Sequence, residues 1–458
     1  MFIDDVIYLI VLLLCIKFGQ VFRRFKDAES RQWISTGFGL FVTFVVSGVH
    51  ILHPIISTVI TAVLITKLSH RTRHIAAFFF TFFYLLVVFR LADWYGLVVP
   101  STHVNLLQMI ITLRLAGLGF EVNSAVESLK EEPNNRTYRA IKNIGFLDVF
   151  HFGLGYIGLL TGPYYTYRTY LDCIHRNLGD YIDCEGQTIK KLKKIVVAVV
   201  FHLLFNFYYP ISYVYTEEFQ ARSLLYRYFY VYPSFFNFKT RIYAGMMLSE
   251  CVCQMAGLGA YPTSCEPQSG LGPKDYKKYL ELTNNRQKLK SEEIDFKTVH
   301  NIDIPAVERC FLVRHAMKSW NITVQYWMAA YVYKQFPSKT LRTAATFTIS
   351  AVWHGWAFGY YVSLLSLIFF LPVEDLYVKF YHQSEENSFK KNGLWALLYF
   401  LRFSCMSYLG IGFQLLEYDN TVYYFTNIYA AGHVFVGLLY VIGRLAKPSR
   451  IVETDKRL

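Results

Sequence analysis

The chain has 458 residues, 54% hydrophobic, 18% aromatic and only 17% charged, against about 25% charged in typical soluble domains. That balance excludes disordered, collagenous and coiled-coil chains, and the eight cysteines show neither disulfide-scaffold nor zinc spacing. A formal net charge of +13 would suggest nucleic acid in a soluble protein. Here long apolar runs point instead to an all-α polytopic membrane protein with basic cytosolic loops, whose partners are membrane lipids and no nucleic acid.

The first apolar run covers 6–22. Asp4 and Asp5 precede it and Arg23, Arg24 and Lys26 follow, the reverse of a cleavable signal, so its N-terminus is expected in the lumen. Runs 33–51 and 54–65 form one stretch broken by His50, His53 and Pro54. Base at both ends predicts a hairpin of two short helices. Run 75–89 crosses next and 104–120 returns. Run 146–163 is apolar but carries Gly153, Gly155, Gly158 and Gly162, which predicts a re-entrant or closely packed segment. Residues 164–194 read as basic and soluble. Runs 195–215, 224–236 and 242–261 follow. Residues 266–309 form a hydrophilic loop, expected in the cytosol. An aromatic helix is predicted over 311–333 and a long apolar segment over 343–371. Runs 394–416 and 428–445 come last, before a polar tail at 446–458. The result is about ten or eleven membrane-entering helices, some short or re-entrant, in one domain spanning 1–458.

Polar groups inside apolar helices cost free energy, about 2.5–3.5 kcal/mol for a charge on insertion scales. The residues concerned are His50, His53, His202, Asn206, Asn321, Gln325, His354 and His433. Taken singly, each is more often a hydrogen-bonded packing residue. Two stand out by their surroundings. His354 lies between Trp353 and Gly355, and Gly355 with Gly359 makes a small-residue pair that admits close approach. Asn321 follows Trp320, and Gln325 lies four residues on, which on a helix puts two amides on one face. A competing pattern, His175 with Asp180, has the spacing of soluble-domain glycerolipid acyltransferases but stands in a basic loop. No nucleophile elbow, His-Glu-x-x-His motif or P-loop occurs.

Trp353-His354-Gly355, preceded 33 residues earlier by Asn321 in a Trp-Asn-x-Thr context, resembles the membrane-bound O-acyltransferase family. So does the Gly-Pro segment Gly162-Pro163-Tyr164 with Arg168. Gly257–Pro262 and Asn301-Ile302-Asp303 resemble the family branch that acylates lysophosphatidylinositol. The resemblance implies a catalytic tunnel and transfer of a polyunsaturated, arachidonoyl-type acyl group from acyl-CoA to the sn-2 hydroxyl of lysophosphatidylinositol. It also implies an endoplasmic reticulum membrane location. On this reading His354 is the general base, because imidazole has the pKa nearest the operating pH. Asn321 donates to the thioester carbonyl or holds the acceptor. Trp353, Gly355, Trp320, Gln325, Gly162, Pro163 and Tyr164 line the substrate site. Arg168, Arg241, Lys274 and Lys318 are candidates for phosphate contacts. No metal and no cofactor is expected, acyl-CoA being a co-substrate. Two alternatives stay open: the same chemistry on another lysophospholipid headgroup, and a non-enzymatic transporter or scaffold.

Overall fold

A computed structural model describes residues 2–446, so the polar tail beyond Ala446 lies outside the described residues. In chain order the helices begin with α1 (Phe2–Arg24), α2 (Ala28–Ser47), α3 (Leu52–Lys67), α4 (Arg73–Phe83), α5 (Thr102–Glu131), α6 (Arg136–Lys142), α7 (Phe146–Leu154), α8 (Tyr167–His175) and α9 (Cys184–Tyr208). They continue with α10 (Glu217–Ala221), α11 (Leu224–Phe229), α12 (Val231–Ala256), α13 (Tyr276–Thr283), α14 (Arg286–Lys290), α15 (Ile304–Arg309), α16 (Val313–Lys318) and α17 (Ile322–Tyr331). The last are α18 (Lys339–His354), α19 (Phe358–Gln383), α20 (Phe389–Gly410), α21 (Gly412–Leu415), α22 (Tyr418–Asn427) and α23 (Ala431–Leu445). Two antiparallel pairs of two-residue strands brace the hydrophilic loop, Tyr261 opposite Asp295 and Pro267 opposite Pro273.

Among the described residues six helices are long and apolar enough to cross a membrane, or seven if the α22–α23 pair, bent by 60°, is one span. The other expected membrane-entering segments are shorter or broken, except that runs 224–236 and 242–261 share one 26-residue helix, α12, which carries Lys239, Arg241 and Glu250. Residues 311–333 are two helices, α16 and α17, not one. The apolar segment 343–371 breaks at Gly355, whose φ of 142° is open to glycine and strained for other residues, so His354 ends a helix and does not lie within one. The hairpin expected over 33–65 is absent: α2 and α3 join through one 3₁₀ turn into a continuous helical run over Ala28–Lys67. Pro54 is tolerated because it stands in the first turn of α3, where no intrahelical N–H bond is lost.

The chain divides into two compact units. The first comprises the described part of Met1–Val197, with Tyr243–Ile302 and Asn321–Gln335. Its central helix is α5, buried along most of its length. Several polar side chains on the apolar helices bond their own or a neighbouring helix, as apolar surroundings favour. Hydroxyls of Thr43, Thr61 and Thr81 bond carbonyls four residues back, and the Gln108 amide donates to the Ser57 hydroxyl at 3.1 Å. The second unit comprises Ala198–Ile242, Asp303–Trp320 and the described part of Phe336–Leu458. Phe219, Val231, Ala351, Leu398, Ile411 and Ile428 are among its buried core residues.

Candidate active site

In the first unit, Asn321 is the residue before α17 and holds left-handed backbone angles, φ 50° and ψ 51°. Asn is among the few residues that adopt this conformation readily. Its carbonyl accepts from the N–H groups of Val324 and Gln325, both at 3.0 Å. Its carboxamide does not cap the helix and makes no hydrogen bond among the described residues. The first turn is capped from elsewhere. Ile322 N–H donates to the Asn301 carbonyl at 2.7 Å, and Thr323 N–H and hydroxyl donate to Asn301 Oδ1 at 3.2 and 2.7 Å. The amide pair expected on one helix face is therefore modified, since Asn321 precedes the helix and Gln325 stands exposed on it.

The Gly-Pro segment packs onto the same helix. Gly162 takes φ 90° and is joined to Pro163 by a cis peptide bond. Tyr164 N–H donates to the Thr323 hydroxyl at 3.1 Å, and its ring stacks on Tyr326. Two charged residues of α5 hold this segment, and neither was singled out in the sequence. Arg114, fully buried, donates to the carbonyls of Phe152, Gly155 and Ile157 and lies over the Tyr165 ring. The Glu121 carboxylate accepts from the Tyr167 N–H at 2.9 Å at the start of α8 and from the Tyr164 hydroxyl at 3.4 Å. The available signal was a charge within an apolar run, which demands a partner.

Arg168 donates to the carbonyls of Leu271 and Pro273 at 3.3 and 3.1 Å and stacks 4.5 Å over Tyr276. Beside it Asp172 accepts from the hydroxyls of Tyr261 and Tyr276 at 2.8 and 2.9 Å. Burial pushes the Asp172 carboxyl up to about 6, against the hydroxyl bonds and Arg168, which pull it down. Lys274 pairs with Glu266. Asp180 pairs with Lys26 at 2.6 Å, which engages the acid of the competing His175 motif elsewhere.

In the second unit, His354 ends α18. The N–H of Gly355 bonds the Ala351 carbonyl at 3.1 Å and closes the helix behind it. Three rings surround the half-buried imidazole: Trp353 at 4.9 Å, Phe413 at 5.0 Å and Tyr360 at 5.4 Å between centroids. Gly359 meets the backbone of Gly412, so this partner of the expected small-residue pair serves helix packing. Glu374 on α19 accepts the N–H groups of Val313 and Arg314, and Asp375 forks onto Arg314 at 2.7 and 2.8 Å. Those bonds fix α16, which ends at the exposed Lys318. Arg241 is also exposed, and Trp320 is half-buried. An apolar cavity of about 430 Å³ lies between Phe358 and Val362 of α19 and the α22–α23 pair, with His433 in its wall. Among the described residues no group of three His, Cys, Asp or Glu side chains is placed to hold a metal ion.

The structure thus brings Gly162, Pro163 and Tyr164 to the start of α17 in the first unit, and gathers Trp353, His354 and Gly355 into an aromatic setting in the second. Residues 69–418 match the profile of the membrane-bound O-acyltransferase family. The chain is 36% identical to the membrane-bound acylglycerophosphatidylinositol O-acyltransferase of Drosophila melanogaster, covering 97% of this chain and 92% of the relative. It is 34% identical to the protein of that description from Xenopus laevis, covering 96% and 94%, and 31% identical to the one from Homo sapiens, covering 93% and 90%. With a family profile spanning most of its length and relatives aligned almost end to end, this chain is a multi-pass member of the membrane-bound O-acyltransferase family.

Proposed function

We propose that the chain moves an acyl group, of the polyunsaturated arachidonoyl type, from acyl-CoA to the sn-2 hydroxyl of lysophosphatidylinositol in the endoplasmic reticulum membrane. The acceptor class is that of the relatives, which are acylglycerophosphatidylinositol O-acyltransferases. The observation that carries the chemistry is the half-buried imidazole of His354 at the end of α18, ringed by Trp353, Tyr360 and Phe413. A lipid hydroxyl is a poor nucleophile until a base takes its proton, and such a base contributes about 10²–10⁴-fold. His354 takes that proton as the hydroxyl oxygen bonds to the thioester carbon. The carbon–sulfur bond breaks, and the proton leaves with the thiolate as free coenzyme A. Asn321 donates its amide hydrogen to the carbonyl oxygen as negative charge develops there, worth about 3–4 kcal/mol by analogy with other oxyanion donors. Arg241 and Lys318, both exposed, are the cations that meet phosphate. The apolar cavity beside Phe358 suits a lipid chain.

The test is a coenzyme A release assay on purified enzyme, crossing acyl-CoA and lysolipid panels. The inositol lysolipid with arachidonoyl-CoA is expected to be turned over fastest, and His354→Ala to be inactive at normal protein level. Equal rates on lysophosphatidylcholine would overturn the acceptor assignment, and an active His354→Ala would overturn the base.

A further inference from the structure

An N-cap asparagine ordinarily spends its side-chain oxygen on the N–H groups of its own helix. Asn321 stands at that position and does not. Asn301, only 2% exposed, supplies both acceptors in its place: its carbonyl takes the first N–H of α17, and Oδ1 takes the second together with the Thr323 hydroxyl. Asn301 is itself held. Glu250, 1% exposed on α12, accepts the N–H groups of Asn301 and Ile302 at 2.6 and 3.2 Å. The same carboxylate pairs with Lys191 and stands 3.6 Å from His300. The Thr323 hydroxyl closes the arrangement by accepting from the Tyr164 N–H of the Gly-Pro segment at 3.1 Å.

We infer that Glu250, Asn301 and Thr323 are positioning residues that cap α17 from outside and so leave the Asn321 carboxamide uncommitted and aimed for the reaction. This rests on the proposed role of Asn321. If the outside cap is lost, the exposed first-turn N–H groups are free to recruit the Asn321 side chain, which then caps its own helix and is withdrawn from the carbonyl. A misplacement of about 1 Å can reduce turnover about 10²-fold with little effect on ground-state binding.

The experiment compares Asn301→Ala, Thr323→Val, Thr323→Ser and Asn321→Gly as full-length purified proteins, with kcat, KM for both substrates and melting temperature. Thr323→Val removes the hydroxyl and keeps the shape, whereas Thr323→Ser keeps the hydroxyl. Asn301→Ala and Thr323→Val are expected to lower kcat about tenfold or more with both KM values within twofold, and Thr323→Ser to stay within twofold of wild type. Should Asn301→Ala fail to fold, the two Thr323 variants decide. The inference is overturned if Thr323→Val turns over like wild type, or if Thr323→Ser and Thr323→Val lose kcat equally. An Asn321→Gly variant with wild-type turnover would instead sink the role of Asn321, whatever the cap variants do.

Discussion

Gly359 links helix packing to the proposed base in the second unit. A Cβ built there would lie 2.0 Å from the Gly412 carbonyl oxygen and 3.2 Å from Leu416 Cα, while real Cβ atoms keep at least 3.0 Å from such atoms. Gly359→Ala must therefore move α19 and α21 apart by about 1 Å. No flexible side chain stands at the contact to absorb that step, because the obstructing atoms are backbone. On one side Tyr360 follows Gly359, and on the other Phe413 follows Gly412; both rings contact His354. The shift is transmitted directly to the imidazole. Overpacking of this kind costs about 1–3 kcal/mol of stability, and a displacement of about 1 Å at a reacting group can cost about 10²-fold in rate. The expected result is a lower melting temperature and at least a tenfold loss of kcat per folded enzyme in the coenzyme A release assay. Gly437→Ala is the control: it is also helical, nothing lies within 4 Å of its added carbon, and helix propensity favours alanine by about 1 kcal/mol. A Gly359→Ala enzyme with wild-type turnover would refute the link between this contact and His354.

Asn321→Gly separates two explanations for that asparagine. Glycine accepts φ 50° without strain, so stability should remain within about 1 kcal/mol while turnover falls about 10²-fold; full activity would mean the residue serves the backbone alone. The Asp172 carboxyl titrates near 6 in the fold, above its ordinary 3.8, so the folded state keeps the proton longer than the unfolded chain. Its contribution is complete below about 3.8 and is lost as pH rises through 6, reaching about 3 kcal/mol. The melting-temperature difference between Asp172→Asn and wild type should therefore shift in favour of the variant from pH 5 to 7 and level off above, and a difference constant over that range contradicts it. Arg168→Lys loses the forked contact to Leu271 and Pro273 and part of the stacking on Tyr276, so it should lower the melting temperature with KM for acyl-CoA unchanged. A raised KM at normal stability would return Arg168 to phosphate binding.

Hydropathy made the long spans legible, because an apolar face of 18 residues or more is a local property. The helices that hold the proposed catalytic residues are shorter, and α17 is begun by a group distant in sequence. Residues 311–333 read as one helix since nothing nearby announces a stop. Yet α16 begins where Glu374, 61 residues from Val313, accepts its N–H groups, and α17 begins where Asn301 does the same. His354 and its flanking Trp and Gly were visible as a motif, but Gly355 within an apolar run read as a packing glycine, and only its backbone angles show that it ends the helix. Arg114, Glu121 and Glu250 are a further signal within the sequence itself. Each is a lone charge in an apolar stretch, and each holds backbone N–H or carbonyl groups of a neighbouring segment.

Both proposed chemical groups stand at helix boundaries, and for Asn321 a physical reason accounts for the position. In apolar surroundings a polar side chain in mid-helix is driven to bond its own or a neighbouring helix, since an unsatisfied group there costs several kcal/mol. The hydroxyls of Thr43, Thr61 and Thr81 do this by turning back to their own helix carbonyls. A group meant for a substrate has to escape that capture. At the start of α17 the N–H groups are already taken by Asn301, which leaves the Asn321 carboxamide outside that capture. The left-handed angles of Asn321 are held in place by bonds on both sides of the residue. On the proposed roles, the buried carboxylates on α12 and α19 matter because they help decide where α17 and α16 start.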